Sequence, residues 1–216
     1  MKRSARWLAL AGMVGSILFV LVFTIAGFLR PGYSPIRQPV SDLGVGPNAW
    51  IQNANFFVFG LLLIAFAIAF YQGMRSVISR GWLMACLVLL ILSGAGMWGS
   101  AYFTVPDPND PPQLQALQGM LHMLSFLAIF VSSIIALLII GWQLRRDARW
   151  RGYGWYSMIT GLVALVLIFL VFLFFVPGSP LSEAQIGGLV QRILVLEVFA
   201  WHVVMGWRLF ALDGSR

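Results

Sequence analysis

The sequence predicts an all-α protein, a polytopic bundle of about six transmembrane helices. Of its 216 residues, 60% are hydrophobic and only 10% are charged, whereas a soluble domain carries roughly 25% charged residues. The apolar residues form long runs, and a run of about 18 or more with almost no charge is typical of a membrane-spanning helix. Pro and Gly cluster between the runs and mark the connections between helices.

The apolar runs give the helices in order. We place the spans at residues 7–29, 51–73, 82–103, 117–142, 154–176 and 186–211. The first span follows a basic N-terminus, as in a signal peptide. Its apolar run of about 23 residues is longer than the roughly 7–15 residues of a signal-peptide core, so we expect it to stay uncleaved. Because the spans use most of the length, residues 1–216 are expected to form a single integral membrane domain.

The basic residues predict the orientation. Eleven of the 14 Lys and Arg residues lie in the N-terminal tail, the 74–81 and 143–153 loops or the C-terminal end. Such an excess marks the cytoplasmic side of a membrane protein. We therefore expect both chain ends in the cytoplasm of a multi-pass cell-membrane protein. Since this charge lies in short loops between spans, it predicts topology and contact with membrane lipids rather than a nucleic-acid partner.

Three spans have a distinctive composition. Span three carries small residues between Ser93 and Ser100, which let helix backbones approach closely. Span five is almost entirely large and apolar after Leu162, and we expect it to face lipid. The one cysteine, Cys86, lies in the apolar run of span three. A lone cysteine forms no intrachain disulfide, so we expect a buried thiol.

Polar side chains inside spans usually face the bundle interior, because lipid does not solvate them. On span four they share one helical face at steps of three, four and seven: Gln115, Gln118, His122, Ser125 and Ser132. A second shared face runs along span six: Gly188, Arg192, Val195, Phe199, His202 and Gly206. Glu197 lies roughly 140° around that helix from Arg192 and is expected to contact a different neighbour.

Most of these polar residues fall in the predicted outer half, near the connection between spans one and two. We predict a polar pocket there, covered by this connection, which binds a lipid or an amphipathic small molecule. Its candidate residues are Arg37, Ser41, Asp42, Asn53, Gln118, His122 and Arg192. Arg30 and Asn55 belong to the same region. The competing interpretation is a buried ion pair between Asp42 and one arginine that locks the connection onto the bundle.

The residue types also limit the reactions and cofactors that the predicted pocket could support. In a catalytic pocket Asp42 would act as base or metal ligand, His122 as proton carrier and Arg192 as a clamp for an anionic head group. A faint likeness to intramembrane zinc hydrolases fails because the chain has two histidines and no His-x-x-x-His pair. The two histidines differ in depth by about 12 Å, which disfavours a two-histidine haem. We expect neither metal nor cofactor.

Short motifs point to a known family. The Ser41-Asp42-Leu43-Gly44 segment, His122 at the start of span four and the residues Gly188 to Arg192 at the start of span six carry the likeness. With them the chain resembles a prokaryotic six-span membrane protein family catalogued as domain of unknown function 998. The resemblance covers nearly the whole chain in span number and spacing. It implies an integral membrane protein of about six helices and supplies no established activity.

Three functions remain open, and with them the question of whether the protein is an enzyme. The first is the outer pocket as a binding or catalytic site. The second is transport of protons or a small solute past the intramembrane residues Arg192, Glu197 and His202, although no internal repeat supports a transporter fold. The third is a structural or regulatory membrane subunit in which the polar residues hold helices together.

Overall fold

The computed structural model describes residues 3–107, 109–176 and 178–211. These residues form helices and connections, with no strand among them. The six α-helices are α1 (Arg3–Leu29), α2 (Ala49–Met74), α3 (Arg80–Tyr102), α4 (Pro112–Leu144), α5 (Arg151–Phe175) and α6 (Gly187–Ala211). Two short 3-10 turns lie in connections, at Val40–Gly44 and Ser182–Ala184. All six helices are long and apolar enough to cross a membrane, which confirms the predicted fold class and a multi-pass membrane protein.

The largest difference from the predicted spans is the start of α4. This helix is 33 residues long and begins at Pro112 rather than at residue 117. Its first turns contain the polar residues Gln113 and Gln115, so a hydropathy criterion does not assign them to the span. Proline at Pro112 is well suited to the first turn of a helix. At about 1.5 Å per residue α4 is about 50 Å long, and a hydrocarbon core is about 30 Å thick. Hydropathy therefore locates a membrane crossing better than it locates the end of a helix.

The helices form a closed ring in chain order, in which each packs on the next and α6 closes onto α1. Nε of Arg6 donates a hydrogen bond to the Phe210 carbonyl at 2.7 Å, and the Trp7 and Phe210 rings lie 5.3 Å apart. The start of α1 and the end of α6 are thus at one end of the bundle, which we call the terminal end. The opposite end carries the connection of residues 30–48 and is called the loop end.

Aromatic side chains fill the middle of the ring where α1, α2 and α6 meet. The Phe59 ring lies 4.9 Å from that of Phe19 and 4.7 Å from that of Phe199. Nearer the terminal end, Phe66 packs edge-on against Trp201, whose indole N–H donates to the Ser157 hydroxyl at 2.8 Å. The shared face predicted on α6 is buried in this core, since Val195, Phe199, His202 and Gly206 are all buried.

Glycines set the distance between neighbouring helices. A methyl group added at Gly60 of α2 would lie 2.6 Å from the carbonyl oxygen of Gly94 in α3. One added at Gly96 would lie 2.8 Å from the Ser125 carbonyl oxygen of α4. One at Gly154 of α5 would lie 2.5 Å from a backbone nitrogen of α4. These separations are too short for a side chain, which confirms that the small residues of span three allow close packing.

The outside of the bundle is apolar, and α5 is its most exposed helix. Ile159, Val166 and Phe169 each expose more than half of their surface, as expected for a helix that faces lipid. Cys86 is fully buried in the core near the terminal end, which confirms the prediction of a buried thiol.

Substitution of Gly154 tests the contact between α4 and α5. Gly154→Ala places a methyl group against the backbone of Arg145, and overpacking of this kind costs typically about 1–3 kcal/mol. We expect a lower thermal unfolding midpoint for the purified protein in detergent. Gly152→Ala is the matched control, because a methyl group there meets nothing within 4 Å. Equal midpoints for the two variants would show that the close contact is not needed.

Candidate functional site

The connection of residues 30–48 turns inward at its middle, residues 40–44, while Arg37 and other residues stay exposed. Its 3-10 turn buries Val40, Ser41 and Leu43. The start of α6 holds it from one side: Leu189 N–H donates to the Ile36 carbonyl at 2.9 Å, and the Gln191 side-chain oxygen accepts from Val40 N–H at 2.7 Å. The segment therefore depends on α6 for backbone hydrogen bonds that it does not make internally.

Arg192 is the main anchor of this connection. Its Nη1 donates to the carbonyl oxygens of Pro35 at 2.6 Å and Gln38 at 2.8 Å. The same nitrogen lies 3.0 Å from the Gly188 carbonyl, and Nη2 donates to the Tyr33 hydroxyl. A guanidinium has five N–H donors and no acceptor, so it suits a group of inward-facing carbonyls. Arg192 is thus engaged by carbonyl oxygens and a hydroxyl of the protein itself.

Gly188 makes this anchoring possible. A methyl group at this position would lie 2.7 Å from the backbone nitrogen of Gln38 and still closer to its carbonyl oxygen. Only a residue without a side chain allows the connection to approach α6 so closely. The start of α6 that carries the family resemblance is therefore the surface on which the connection rests.

The expected ion pair of Asp42 with an arginine is not formed. Among the described residues the salt bridge that forms joins Arg149 to Asp147, at 3.0 Å. Arg30 Nη1 donates to the main-chain carbonyl of Asp42, and the Asp42 carboxylate has a long contact of 3.5 Å with the Gln38 amide. Burial raises the pKa of Asp42, while the Gln38 amide and the charges of Arg30 and Arg192 act in the opposite direction. The arginines serve backbone carbonyls, so the carboxylate is left without a close cation.

A central cavity of about 30 Å³ lies under the connection, inside the ring. Its polar lining comes from Ser41, Ser100, His122 and Gln191, and its apolar wall is mostly phenylalanine. His122 Nδ1 lies 2.7 Å from the Phe103 carbonyl. Because roughly 10–15 Å³ is needed to hold one water, this cavity suits a few water molecules and not a lipid head group.

A larger lateral cleft of about 330 Å³ lies between the end of α1, the connection and the start of α2. Arg30 and Asn48 supply its polar side chains, and the apolar part includes Ala26, Leu29 and Ile51. The turn of residues 40–44 separates it from the central cavity, with Ser41 on one side and Leu43 on the other. At the loop end, the arginine that borders a cavity is therefore Arg30.

The seven predicted pocket residues are divided among several environments. Ser41 and His122 line the central cavity. Asn53 donates to the Gly44 carbonyl at 3.1 Å and holds the turn onto α2. Arg37 is exposed on the connection, and Gln118 is half-buried on α4. Asp42 and Arg192 have the contacts given above.

The candidate pocket residues did not include two polar residues of the central cavity, Gln191 and Ser100. Gln191 directly precedes Arg192 at the start of a span, and Ser100 lies two helical turns after Ser93, so a search for shared helical faces could have found both. Arg30, which was assigned to the pocket region without being one of its seven candidates, lines the lateral cleft.

The two intramembrane polar residues of α6, Glu197 and His202, line neither cavity. Glu197 faces Thr160 and Tyr156 of α5, which confirms that it contacts a different neighbour from the Arg192 face. His202 is fully buried: its ring packs against Phe66 at 5.4 Å, and its Nδ1 lies 3.1 Å from the Val198 carbonyl. Glu197 and His202 thus point to different helices.

A family model described as "Protein of unknown function (DUF998)" matches residues 13–208, which is most of the chain. The chain belongs to this family. The match to DUF998 includes the whole 30–48 connection, both cavities and Arg192. No curated protein and no solved structure matches the chain. The family membership supports an integral membrane protein, and an activity has to be argued from the residues of the site.

Arg192→Gln tests the anchor. The variant loses hydrogen bonds from a charged donor, each worth about 1.5–3 kcal/mol, and leaves the carbonyls of Pro35 and Gln38 unpaired. We expect amide hydrogen exchange in residues 33–44 to rise about tenfold or more, since about 1.4 kcal/mol corresponds to tenfold. Arg37→Gln removes an exposed charge from the same connection and should leave exchange unchanged. An unchanged rate in the Arg192 variant would refute the anchoring role.

Asp42→Asn tests the burial of an unpaired carboxylate. Because the pKa of Asp42 is raised in the folded protein, the folded state keeps this proton to a higher pH than the unfolded state. Stability therefore falls as the pH rises from about 3.9, the ordinary Asp value, through the raised pKa. The variant should lose this part of the pH dependence in thermal unfolding. Asp147→Asn is the contrasting variant. Arg149 lowers the pKa of Asp147, so the contribution of Asp147 to stability is lost as the pH falls.

Proposed function

We propose that the protein binds an amphipathic molecule with a small anionic head group at the loop end, with the head group in the lateral cleft beside Arg30. The observation that carries this proposal is a guanidinium on the wall of a 330 Å³ cleft whose remaining surface is largely apolar. A few polar groups on an apolar wall are the usual composition of a small-molecule site. The central cavity is too small for this role.

The charge of the cleft favours an anion. Arg30 uses Nη1 for the Asp42 main-chain carbonyl, so its charge is not compensated by a close carboxylate among the described residues. The cleft also borders Asn48 and Ile51 at the start of α2. The first turn of a helix carries a partial positive charge and favours negative groups. Arg30 and the start of α2 therefore act in the same direction.

The apolar side of the cleft suits a hydrocarbon chain. Ala26 and Leu29 of α1 and Ile51 of α2 lie directly beside the polar residues. Leu29 and its neighbour Phe28 expose most of their surface on the outside of the bundle. A chain attached to a head group at Arg30 would continue along this surface. In the orientation predicted from the basic residues, the cleft belongs to the outer leaflet of the cell membrane.

The second candidate is a structural or regulatory membrane subunit. The specific observation in its favour is that Arg192 and Asn53 are both engaged with backbone carbonyls of the connection. Polar residues used in this way shape a rigid surface at the loop end without binding a ligand. Such a surface would serve a protein partner rather than a small molecule.

Binding of a defined amphiphile distinguishes the two candidates. Lysophosphatidic acid is titrated into the protein in mild detergent, with lysophosphatidylcholine as the counterpart without net charge, and bound species are counted by native mass spectrometry. Arg30→Gln should weaken binding of lysophosphatidic acid about tenfold, because a hydrogen bond to a charged group is worth about 1.5–3 kcal/mol. Arg37→Gln, which removes an equal charge from the same connection, should bind as the wild type does.

Equal binding in wild type and Arg30→Gln would reject the cleft as the head-group site. A folded wild type that binds neither amphiphile, and that copurifies with a stoichiometric protein partner, would favour the subunit role. Thermal unfolding of both variants shows that each is folded before its binding is compared.

A further inference from the structure

A second cationic surface lies at the terminal end, where α4 ends and α5 begins. The two helices are in backbone contact there, since a methyl group at Gly141 would lie 2.7 Å from the Met158 nitrogen. This close approach brings Trp142 of α4 and Trp155 of α5 to either side of Arg145. The Arg145 guanidinium carbon lies 4.7 Å from the Trp142 ring centroid and 4.5 Å from that of Trp155.

Stacking leaves the hydrogen-bonding capacity of this guanidinium unused. Aromatic rings attract a cation through their faces, whereas the N–H donors of a guanidinium point outward in its plane. Among the described residues, the Nε of Arg145 has no hydrogen-bond partner. The two indoles stay half-exposed, at 52% for Trp142 and 50% for Trp155. The Nε itself is buried, so the terminal nitrogens of the half-buried Arg145 are the donors that border the two half-exposed rings.

Among the described residues, no ion pair balances the charge of Arg145 and Arg146 at this surface. The exposed Arg146 also lies over Trp142, with its guanidinium carbon 5.5 Å from the ring centroid, so two cations share one indole. Asp147 is the one acidic residue between Trp142 and Tyr153. Its carboxylate is committed to Arg149, with contacts of 3.0 and 3.3 Å to the Arg149 guanidinium. Arg145 and Arg146 thus form a pair of like charges that has no carboxylate partner among the described residues, and such a pair favours an anion.

We propose that Arg145 and Arg146 bind the phosphate of an anionic phospholipid, with its glycerol region against the exposed edges of Trp142 and Trp155. Charge complementarity selects the anion, because a planar guanidinium pairs with phosphate through two parallel hydrogen bonds. The position selects a lipid over a soluble phosphate, since tryptophan favours the interface of a membrane. The exposed side chains of Ile135 and Ile159 continue the surface of α4 and α5 toward the middle of the membrane and receive the acyl chains.

This site is independent of the cleft at the loop end, because the two share no residue and lie at opposite ends of the bundle. In the predicted orientation the terminal end faces the cytoplasm. The contacts of Arg145 with the two indoles are the same in either orientation of the bundle.

Phosphatidylglycerol is the probe, with phosphatidylcholine for comparison. Purified protein in mild detergent is titrated with each lipid, and bound lipid is quantified by native mass spectrometry. Wild type should bind phosphatidylglycerol more tightly than phosphatidylcholine. Arg145→Gln should weaken the binding of phosphatidylglycerol about tenfold, which is a loss of about 1.4 kcal/mol of binding free energy. Arg149→Gln removes the same charge from the same loop. Its affinity for phosphatidylglycerol should stay within about twofold of that of wild type, because a surface charge that is already in an ion pair, as Arg149 is, contributes little.

Equal weakening by Arg145→Gln and Arg149→Gln would overturn the proposal, because it would show a general charge effect. No preference of the wild type for phosphatidylglycerol would overturn it as well. If Arg145→Gln does not fold, Arg146→Gln carries the test, since this residue is exposed and contacts one indole. Binding by the folded Arg146 variant equal to that of wild type would then contradict the proposal. Arg30→Gln should leave the binding of phosphatidylglycerol unchanged. This variant therefore distinguishes the site at the terminal end from the lateral cleft at the loop end.

Discussion

Buried backbone N–H and C=O groups have to be paired within the protein. The six helices pair theirs along their length, but the connection of residues 30–48, part of which is buried, pairs only some of its groups through its own turns. Its groups are paired by side chains from three helices and their ends: Arg192 and Gln191 of α6, Asn53 of α2 and Arg30 after α1. The position of the connection, and with it both cavities at the loop end, depends on these pairings.

The same requirement explains how charge is used at the loop end. A guanidinium that satisfies several carbonyls has little capacity left for a carboxylate, so Arg192 holds backbone and Asp42 has no close cation. A polar residue in an apolar protein is therefore weak evidence for a ligand until its partners are known. Arg30 differs from Arg192 because it pairs with one carbonyl and also borders an open cleft.

Arginine has a different environment at the terminal end. Arg145 and Arg146 lie over indole faces rather than near carbonyls, and Arg208 lies over Trp150 and Tyr153 at 5.3 and 5.2 Å. Stacking on a ring lowers the cost of placing a cation at a membrane interface without consuming its N–H donors. Arginine thus fixes the connection at the loop end, whereas at the terminal end Arg145 and Arg208 each have an Nε without a hydrogen-bond partner among the described residues. The close contact of α4 and α5 at their glycines is what brings the two tryptophans around Arg145.

The sequence by itself determined the fold class, the six spans, the buried α6 face, the exposed α5 and the buried Cys86. These follow from periodicity and hydropathy, which are local and act along one helix at a time. It also placed Ser41 and His122 near an outer pocket. Only the tertiary structure decided the partner of each polar group: Arg192 binds carbonyls instead of Asp42, and Arg30 borders the cleft. The partners of a side chain depend on how the helices and connections pack against one another. The distances between these elements are fixed by glycine contacts such as that of Gly188 with Gln38, and the two residues of such a contact are far apart in the sequence.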